Sequence, residues 1–478
     1  MGIEPTSSAW KADALPLCYA RLLFVIDYKT SIIYNLMVIG QHKLVNRNLK
    51  MNITEIAAAA KSASIRLAAV TTDTKNNALK EIAAALTQHS DEIIAANTED
   101  IAAAEKDNLA SPLLKRLKFD EDKISQTIAG IESLIKLDDP VGKILAATEL
   151  DAGLELYKVS CPIGVIGVVF ESRPDALVQI STLCLKSGNA VLLKGGSEAA
   201  RTNRILAETI TEASEKAGLP KGWIQLLETR QDVAQMLALD EYIDLIIPRG
   251  SNEFVRYIMD NTNIPVLGHA DGICHVYVDA YADLDMAVNI TVDSKCQYVA
   301  VCNAAETLLV DSAIAEEFLP KIKTTLEQKS VELRGCERTA SIIDVKLATK
   351  KDFSTEYLDY ILSIKVVDGL DAAIEHINRY GSKHTDAIVT NDKAKAERFM
   401  ALVDSANVFV NCSTRFSDGF RYNLGAEVGI STNKIHARGP VGLEGLVIYK
   451  WKLYGTGQIV ADYTGPNAKK FTHRKLES

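Results

Sequence analysis

The stretch Ile163-Gly-Val-Ile-Gly-Val-Val-Phe170 decides the fold class, because it is an unbroken run of apolar, β-forming residues and glycines. Such a run is typical of a strand buried on both faces, as in a parallel sheet covered by helices. A helix is predicted over 175–187, ended by Gly188, and a strand over 190–194. Further strands are predicted at 224–228, 243–247 and 276–279, with helices at 198–217, 232–239 and 251–262. This alternation indicates a parallel, doubly wound α/β sheet.

The same alternation resumes later in the chain and predicts a second α/β domain. A strand is predicted at Thr307–Val310 and a helix at Ala313–Gln328. Ahead of the first sheet, the apolar residues of 79–86 recur at helical spacing, and further helical runs are predicted at 91–105 and 122–137.

Length and charge limit the class of protein. With 478 residues, the chain is long enough for two or three domains. Its formal net charge of -9 argues against nucleic acid as a partner, because no basic block is present to neutralise phosphates. The uncharged run at 30–41 is shorter than the ~20 apolar residues that a membrane span needs. We therefore expect neither a nucleic-acid nor a membrane partner.

The eight cysteines predict a reduced, cytoplasmic protein. They are dispersed along the chain, with no CxxC pair and no cysteine and histidine residues at zinc-site spacing. The sequence therefore predicts neither a disulfide framework nor a metal site.

The first fifty residues differ in character from the rest of the chain. Their aromatic residues follow little periodicity, whereas Asn52-Ile-Thr-Glu55 is a plausible capped helix start. We expect 1–50 to be a non-native or disordered N-terminal extension, with Met51 as the natural start. A targeting segment is the alternative, although no clean small-residue cleavage site follows.

Cys302 is a candidate nucleophile that lies just before the apolar, β-forming run at 307–310. A thiolate attacks carbonyl carbon readily and later leaves readily. Taken alone, however, a cysteine is more often a buried and inert core residue. Cys296 is the rival nucleophile on the residues alone.

Two junctions between a strand and a helix are candidate anion sites. Val191-Leu-Leu-Lys194-Gly-Gly-Ser197 and Ile246-Ile-Pro-Arg-Gly250-Ser251 each lead from a strand through a glycine turn to a helix start. Exposed N–H groups at such junctions bind phosphate, and Lys194 or Ser251 could add a contact. The alternative is that both are ordinary connecting loops. The dinucleotide fingerprint GxGxxG is absent from the sequence.

Longer blocks carry a resemblance to a known family. They are Ile163–Ala176, Leu193–Ala199, Ile247–Asn252, Val301–Leu309, Ala373–Asp386, Asn411–Arg421 and Ile435–Gly445. In these blocks the chain from about Met51 to about Tyr463 resembles the γ-glutamyl phosphate reductase family of the aldehyde dehydrogenase superfamily. The resemblance implies a Rossmann-like cofactor domain, an α/β catalytic domain and a β-hairpin oligomerisation element.

The resemblance also implies a reaction. Members of the family reduce L-glutamyl 5-phosphate to glutamate 5-semialdehyde with NADPH and release phosphate, as a step of proline biosynthesis. A separate glutamate 5-kinase would supply the substrate, since 1–50 is too short to hold a kinase domain. By this resemblance Cys302 is the nucleophile that forms a thioester, because it alone stands in the Cys-Asn-Ala-x-Glu-Thr context.

One difference from hydrolytic relatives supports a reductase. Hydrolytic aldehyde dehydrogenases carry a glutamate base in a Glu-Leu-Gly-Gly segment, where this chain has Val266-Leu-Gly-His269. Without that base, we expect water to cleave the thioester only slowly.

The resemblance assigns further residues to ligands. Lys194 would contact the adenosine ribose or its 2′-phosphate, Ser251 would lie beside the cofactor phosphates, and Glu356 would hold the nicotinamide ribose. Arg173 would meet the substrate phosphate, and the loop at 411–416 would bind the glutamate end of the substrate, through Ser413, Thr414 and Arg415. For Glu356 and Arg415 a solvated surface role is the alternative, and for His376 and His384 a structural role is preferred.

Family architecture sets the expected domains. We expect a cofactor domain at 51–280, a catalytic domain at 281–420, and a return to the cofactor domain at 421–478. The hairpin at 145–160 would pair with a C-terminal strand near 446–453 and join subunits of a homo-oligomer. Cys412 and Asn423 depart from the family pattern, and Asn423 should tolerate a left-handed turn where relatives have glycine.

Two other functions remain open on the sequence. An aldehyde-oxidising or CoA-acylating dehydrogenase would share Cys302 and the fold, but its activity would not need phosphate. A binding module with a dead site would share the fold, but its Cys302 would be unreactive.

Overall fold

The computed structural model describes residues 52–109, 111–228 and 231–476. The predicted extension at 1–50 lies outside these residues. Within them, no helix combines the length and apolar character needed to cross a membrane.

Among the described residues, five helices precede the first strand. They are α1 (Ile53–Leu67), α2 (Thr72–Gln88), α3 (Ser90–Lys106), α4 (Ser111–Leu117) and α5 (Glu121–Lys136). Side chains cap two of them: Thr71 accepts a hydrogen bond from the Thr74 amide before α2, and Asp120 accepts one from the Lys123 amide before α5. The stripe predicted at 79–86 is buried against the first sheet's helices, as its spacing requires.

The first sheet has four parallel strands in the order β5-β4-β3-β6. These strands are β3 (Val165–Phe170), β4 (Ala190–Gly195), β5 (Ile224–Leu226) and β6 (Leu245–Arg249). Every residue of β3 is buried, which confirms the prediction from its unbroken apolar run. Since β4 lies on one side of β3 and β6 on the other, the strand order reverses at β3. A crevice is expected at the carboxyl ends of β3 and β6, where ligands bind in such sheets.

Helices cover this sheet on both faces. They are α1 together with α6 (Pro174–Lys186), α7 (Ala200–Lys216), α8 (Gln231–Met236) and α9 (Asn252–Asp260). The predicted helices agree with these bounds, apart from a short 3-10 turn at Ser197–Ala199 ahead of α7.

The second sheet has seven parallel strands in the order β10-β9-β11-β8-β7-β12-β13. Its strands are β7 (Cys274–Val278), β8 (Ala305–Asp311), β9 (Glu332–Gly335), β10 (Lys346–Leu347), β11 (Ile361–Val367), β12 (Thr385–Val389) and β13 (Asn407–Val410). Its helices are α10 (Leu284–Cys296), α11 (Ala315–Glu327), α12 (Glu337–Ala340), α13 (Gly369–Tyr380) and α14 (Lys393–Leu402).

The boundary between the two sheets lies earlier than predicted. The predicted boundary at 280 assigns the strand near 276 to the cofactor domain. In the structure β7 pairs with β8 on one side and β12 on the other, at the centre of the second sheet. The apolar pattern identified the strand correctly, but a local pattern does not encode which strands it will pair with.

A separate antiparallel sheet contains the predicted hairpin. Its order is β16-β2-β1-β17, formed by β1 (Ile144–Asp151), β2 (Leu154–Pro162), β16 (Val447–Tyr454) and β17 (Arg474–Lys475). The pairing of the hairpin with a C-terminal strand near 446–453 is thus confirmed. Two short strands, β14 (Gly429–Ser431) and β15 (Gly439–Val441), form one further ladder.

Candidate active site

The largest cleft in the described part of the chain lies at the carboxyl ends of β3 and β6. Its volume is about 1080 Å³. Its lining includes four residues that the sequence analysis selected: Lys194, Ser251, Cys302 and Glu356. The first two follow strands of the first sheet, whereas the last two come from loops of the second sheet. The reversal of strand order at β3 therefore positions the cleft.

Cys302 lies in a turn just before β8, partly exposed to the cleft. The pKa of this thiol is raised to about 12, mostly by burial and to a smaller extent by the nearby carboxylates of Glu356 and Glu427. The Arg249 guanidinium acts in the opposite direction. Without a ligand the thiol is therefore protonated at neutral pH. Cys296, the rival, is the last residue of α10 and packs against the core of the second sheet.

A buried ion pair supports the loop that carries Glu356. Lys295 Nζ lies 2.6 Å from Glu306 Oε2, and both side chains are fully buried. Glu306 also accepts a hydrogen bond from the Leu358 amide at 3.2 Å. Burial raises the pKa of Glu306 to about 7, although Lys295 opposes that shift. Glu356 in turn accepts a hydrogen bond from the Asn252 side chain at the start of α9, which joins the two walls of the cleft.

The turn after β4 is built for a close approach of backbone to ligand. Lys194 is buried, and its ammonium donates to the Gly195 carbonyl. A Cβ atom on Gly195 would lie 2.2 Å from Asn203 Nδ2, so only glycine fits. Glu198 Oε1 accepts hydrogen bonds of 2.6 Å from both the amide and the hydroxyl of Ser172. These bonds hold Ser172 at a φ of 44°, which is unusual for a residue other than glycine.

The start of α9 can hold an anion. The Ser251 amide donates to Glu171 Oε2 at 2.9 Å, so a carboxylate already occupies the helix N-terminus in this structure. That carboxylate stands in for an oxygen of a ligand phosphate, which would take the same bond. A Cβ on Gly250 would lie 2.5 Å from Glu171 Oε2, so the bare glycine admits the acceptor. The cleft's volume and this anion position fit a dinucleotide cofactor.

Arg173 lies beside the cleft rather than in its wall. It precedes α6, and its Nη2 lies 3.2 Å from Asp175 Oδ2. It borders a smaller cavity of about 270 Å³ next to α5 and α6. Its charge still acts on Arg249, so the two guanidinium groups are neighbours.

The loop with Ser413, Thr414 and Arg415 packs behind the Cys302 turn. Thr414 is fully buried, and its hydroxyl donates to the Asn303 carbonyl at 2.7 Å. Arg415 Nε donates to Gln297 Oε1 at 2.9 Å. The Ser413 hydroxyl lies 3.2 Å from Ser294 Oγ and accepts a bond from the Arg415 amide. These side chains therefore hold the loop against the nucleophile turn, and the Thr414 side chain is not accessible to a ligand.

Three residues near Cys302 were missed by the sequence analysis. Arg249 ends β6 and is half-buried, with a pKa lowered by burial and by the neighbouring Arg173. His269 lines the cleft, and His384 lies behind it, fully buried. The Pro-Arg-Gly block contained Arg249, and the segment with Val266 contained His269, but neither block showed which side chain faces the thiol. His384 had been assigned a structural role.

Two smaller expectations concern backbone and core. Asn423 adopts a φ of 59°, which confirms that it tolerates a left-handed turn. Val266, expected in place of a catalytic base, packs in the core beside α9 and forms a bridge with Ile246. The segment that ends with His269 thus runs along β6 and into the cleft.

Comparisons with known proteins agree with this geometry. The model of the aldehyde dehydrogenase family matches residues 41–342. A γ-glutamyl phosphate reductase of Acetivibrio thermocellus is 67% identical over 426 residues, covering 89% of this chain and 99% of the relative. One from Pelotomaculum thermopropionicum is 66% identical, covering 89% and 98%.

A solved structure is similar over nearly the same span. The crystal structure of a γ-glutamyl phosphate reductase from Thermotoga maritima is 41% identical to this chain, with a TM-score of 0.84. The match covers 86% of this chain and all of that structure.

Proposed function

Because this chain belongs to the γ-glutamyl phosphate reductases of the aldehyde dehydrogenase family, we propose that it reduces L-glutamyl 5-phosphate to glutamate 5-semialdehyde through a thioester on Cys302. The enzyme class, a glutamate-5-semialdehyde dehydrogenase of proline biosynthesis, follows from its relatives. The observation that carries the proposed mechanism is the meeting of Cys302, Lys194, Ser251 and Glu356 in one cleft.

The first step is attack of Cys302 Sγ on the acyl carbon of the substrate. A carbon–sulfur bond forms, the carbon–oxygen bond to phosphate breaks, and phosphate leaves with the bonding electrons. The thiol must lose a proton first, and His269 is the group we propose to accept it. Its Nδ1 lies 2.9 Å from the Ile430 carbonyl, which can only accept, so Nδ1 carries the proton and Nε2 offers a lone pair.

The departing phosphate needs a cationic neighbour. The Arg249 guanidinium acts directly on Cys302, as does that of Arg415, and Arg173 lies next to Arg249. We propose that these arginines bind the phosphate, with Arg173 giving up its exposed contact with Asp175. The loop with Ser413 and Arg415 would hold the glutamate end of the substrate through its backbone and through Arg415.

We propose NADPH as the cofactor. It would supply the hydride that reduces the thioester carbonyl. The Ser251 amide would donate to its phosphates, Glu356 would accept hydrogen bonds from the nicotinamide ribose, and Lys194 would lie near the adenosine ribose or its 2′-phosphate. The buried carbonyl oxygen would be stabilised by the Cys302 amide.

The chain supplies no glutamate at the position where hydrolytic relatives hold their base, since Val266 packs into the core. The thioester is therefore expected to be hydrolysed slowly and to persist until it is reduced by hydride. A separate kinase would supply the acyl phosphate, and we propose that the enzyme works in the cytoplasm as a homo-oligomer.

The reaction can be tested in reverse. Purified protein is mixed with pyrroline-5-carboxylate, which is the cyclised product, with NADP⁺ and inorganic phosphate, and NADPH absorbance is followed. We expect phosphate-dependent formation of NADPH that disappears in Cys302→Ala and persists in Cys296→Ala. Activity without phosphate would assign the chain to the aldehyde-oxidising class, and equal loss in both variants would remove the assignment of the nucleophile.

A further inference from the structure

Three soft ligand atoms meet at the nucleophile. The side-chain ligand atoms of His269, Cys302 and His384 all lie within 4.8 Å of one another. The two imidazole rings meet edge to face, with centroids 4.9 Å apart. The three residues come from the segment after β6, the turn before β8 and the start of β12, so no sequence spacing could reveal the group.

His384 contains an unpartnered buried atom at this point. The side chain is fully buried, and its Nε2 has no hydrogen-bond partner. Its other nitrogen, Nδ1, lies 2.8 Å from Thr385 Oγ1. The Thr385 hydroxyl accepts a hydrogen bond from Asn407 Nδ2 at 3.3 Å, and Cys274 Sγ lies 3.7 Å from the same Nδ1. A buried nitrogen without a partner is unfavourable, and a ligand at Nε2 would supply the missing partner.

A backbone carbonyl holds the His269 ring in one tautomer. The Ile430 carbonyl fixes the proton on Nδ1, as described above, which leaves Nε2 as the acceptor. A metal-bound histidine is held in this way, with the other ring nitrogen donating to a carbonyl or carboxylate. The tautomer required for metal binding is therefore present before any metal binds.

Charged groups of both signs surround the thiol. Cys302 Sγ experiences the negative charges of Glu356 and Glu427 more strongly than the positive charge of Arg249. The Arg415 guanidinium also acts on this thiol, so the case for a cation rests on the three ligand atoms and not on the net charge.

We propose that His269, Cys302 and His384 form a binding site for a thiophilic divalent cation of the Zn²⁺ class, which reversibly blocks the nucleophile. One thiolate and two imidazoles are ligands that zinc prefers, with a fourth position left for water. Zn–S and Zn–N bonds of about 2.3 and 2.0 Å require the three atoms to close by about 1 Å, which side-chain rotation at the partly exposed Cys302 and His269 can supply.

On binding, the metal–sulfur bond forms and the thiol proton leaves to solvent. The sulfur lone pair that would attack the acyl carbon is then held by the metal. Removal of the cation by a chelator restores the free thiol. Metal binding itself does not rest on the proposed reaction; only the loss of activity does.

Co²⁺ is the spectroscopic probe for this site. The full chain is titrated with Co²⁺ under reducing conditions, and we expect a tetrahedral visible spectrum with thiolate-to-cobalt charge-transfer absorption, saturating at a single ion per chain. Zn²⁺ should displace the cobalt. Losing a ligand should weaken binding by at least about tenfold in His269→Gln, and the charge-transfer band should vanish in Cys302→Ser.

Two controls make the result specific. His376→Gln removes another buried histidine, and Cys296→Ser removes another half-buried thiol, and neither should change the cobalt spectrum. His384→Gln is the third ligand variant; if it fails to fold, His269→Gln and Cys302→Ser still decide the question. Zn²⁺ should also slow alkylation of Cys302 in the parent chain but not in His269→Gln.

Cobalt binding that is weak, that exceeds a single ion per chain, or that persists in His269→Gln and Cys302→Ser would overturn the proposal. The spectrum reports binding without catalysis, so its outcome is separate from that of the reductase assay. If Zn²⁺ inhibits the parent enzyme reversibly, and if the active fraction of His269→Gln loses both that inhibition and cobalt binding, then the metal blocks the Cys302 nucleophile.

Discussion

Substitution of Gly272 by alanine should displace the nucleophile without altering its chemistry. A Cβ atom on Gly272 would lie 2.2 Å from the Cys302 carbonyl oxygen and 2.4 Å from Cys302 Cα. Ordinary contact begins at 3.4 Å, so the 2.2 Å contact requires one of the two backbones to move by slightly more than 1 Å. The obstructing atoms are backbone atoms, so a simple change of side-chain rotamer cannot relieve the contact.

The expected effects follow from that displacement. A misplacement of about 1 Å at a reacting group costs on the order of 10²-fold in rate. Overpacking of this kind lowers the free energy of unfolding by about 1–3 kcal/mol. The rate of phosphate-dependent NADP⁺ reduction in Gly272→Ala should therefore fall on the order of 10²-fold, while the protein remains folded.

Gly130→Ala is the matched control. Gly130 lies on the exposed face of α5, and a Cβ there would have no neighbour within 4 Å. Alanine inside a helix should raise the free energy of unfolding by about 0.5–1 kcal/mol and leave the rate unchanged. Both variants are measured by steady-state kinetics and by urea unfolding.

The two measurements separate catalysis from folding. If Gly272→Ala retained kcat within about twofold of the parent rate, the reasoning that links this backbone contact to catalysis would be refuted. A loss of activity that matched a loss of folded protein would refute it as well.

Three other perturbations test the fold, the buried histidine and the interface. Lys295→Met leaves Glu306 buried without its partner and should lower the free energy of unfolding by about 3–5 kcal/mol in urea titrations. Lys216→Met, at the exposed pair with Glu212, should lower it by less than about 0.5 kcal/mol. Burial lowers the pKa of His376 to about 2 from its ordinary 6.5, so as pH falls below 6.5 the unfolded chain binds a proton that the folded chain does not. This histidine should therefore reduce the free energy of unfolding by about 1.4 kcal/mol for each pH unit below 6.5, and His376→Gln should make the measured slope smaller by that amount; an unchanged slope would contradict the prediction. Trp451→Glu, on the exposed face of β16, should shift the sedimentation of the proposed homo-oligomer toward smaller species. Leu347→Glu, at a similarly exposed position on the edge of the second sheet, should leave the sedimentation unchanged, and equal behaviour of the two variants would exclude β16 as the interface.

Strands and helices were predictable because their signals are local. The residues 163–170 alone predict the strand β3, and α6 ends just before Gly188, as the sequence pattern predicts. The pairing of β7 was not predictable in this way, since any buried strand shows the same apolar run. The sheet to which it belongs depends on β8 and β12, which lie far along the chain.

Site residues were predictable where they lie within a long sequence block. They were not predictable where their position in the site depends on segments that meet only in the folded chain. Cys302 was selected from its sequence context, and the cleft contains it together with Lys194. His269 and His384 reach the thiol from separate segments, so their proximity arises only in three dimensions. Thr414 was selected from its loop, but the loop's inward turn buries its side chain.

The central claim is that the reaction proceeds through a thioester on Cys302 that water does not hydrolyse. It is tested most directly by rapid mixing of enzyme, pyrroline-5-carboxylate and NADP⁺ without phosphate. We predict a burst of NADPH equal to the number of Cys302 thiols, followed by a stall, and renewed turnover when phosphate is added. Steady NADPH formation without phosphate would show that water cleaves the intermediate, and an unchanged burst in Cys302→Ala would contradict the assignment of the nucleophile.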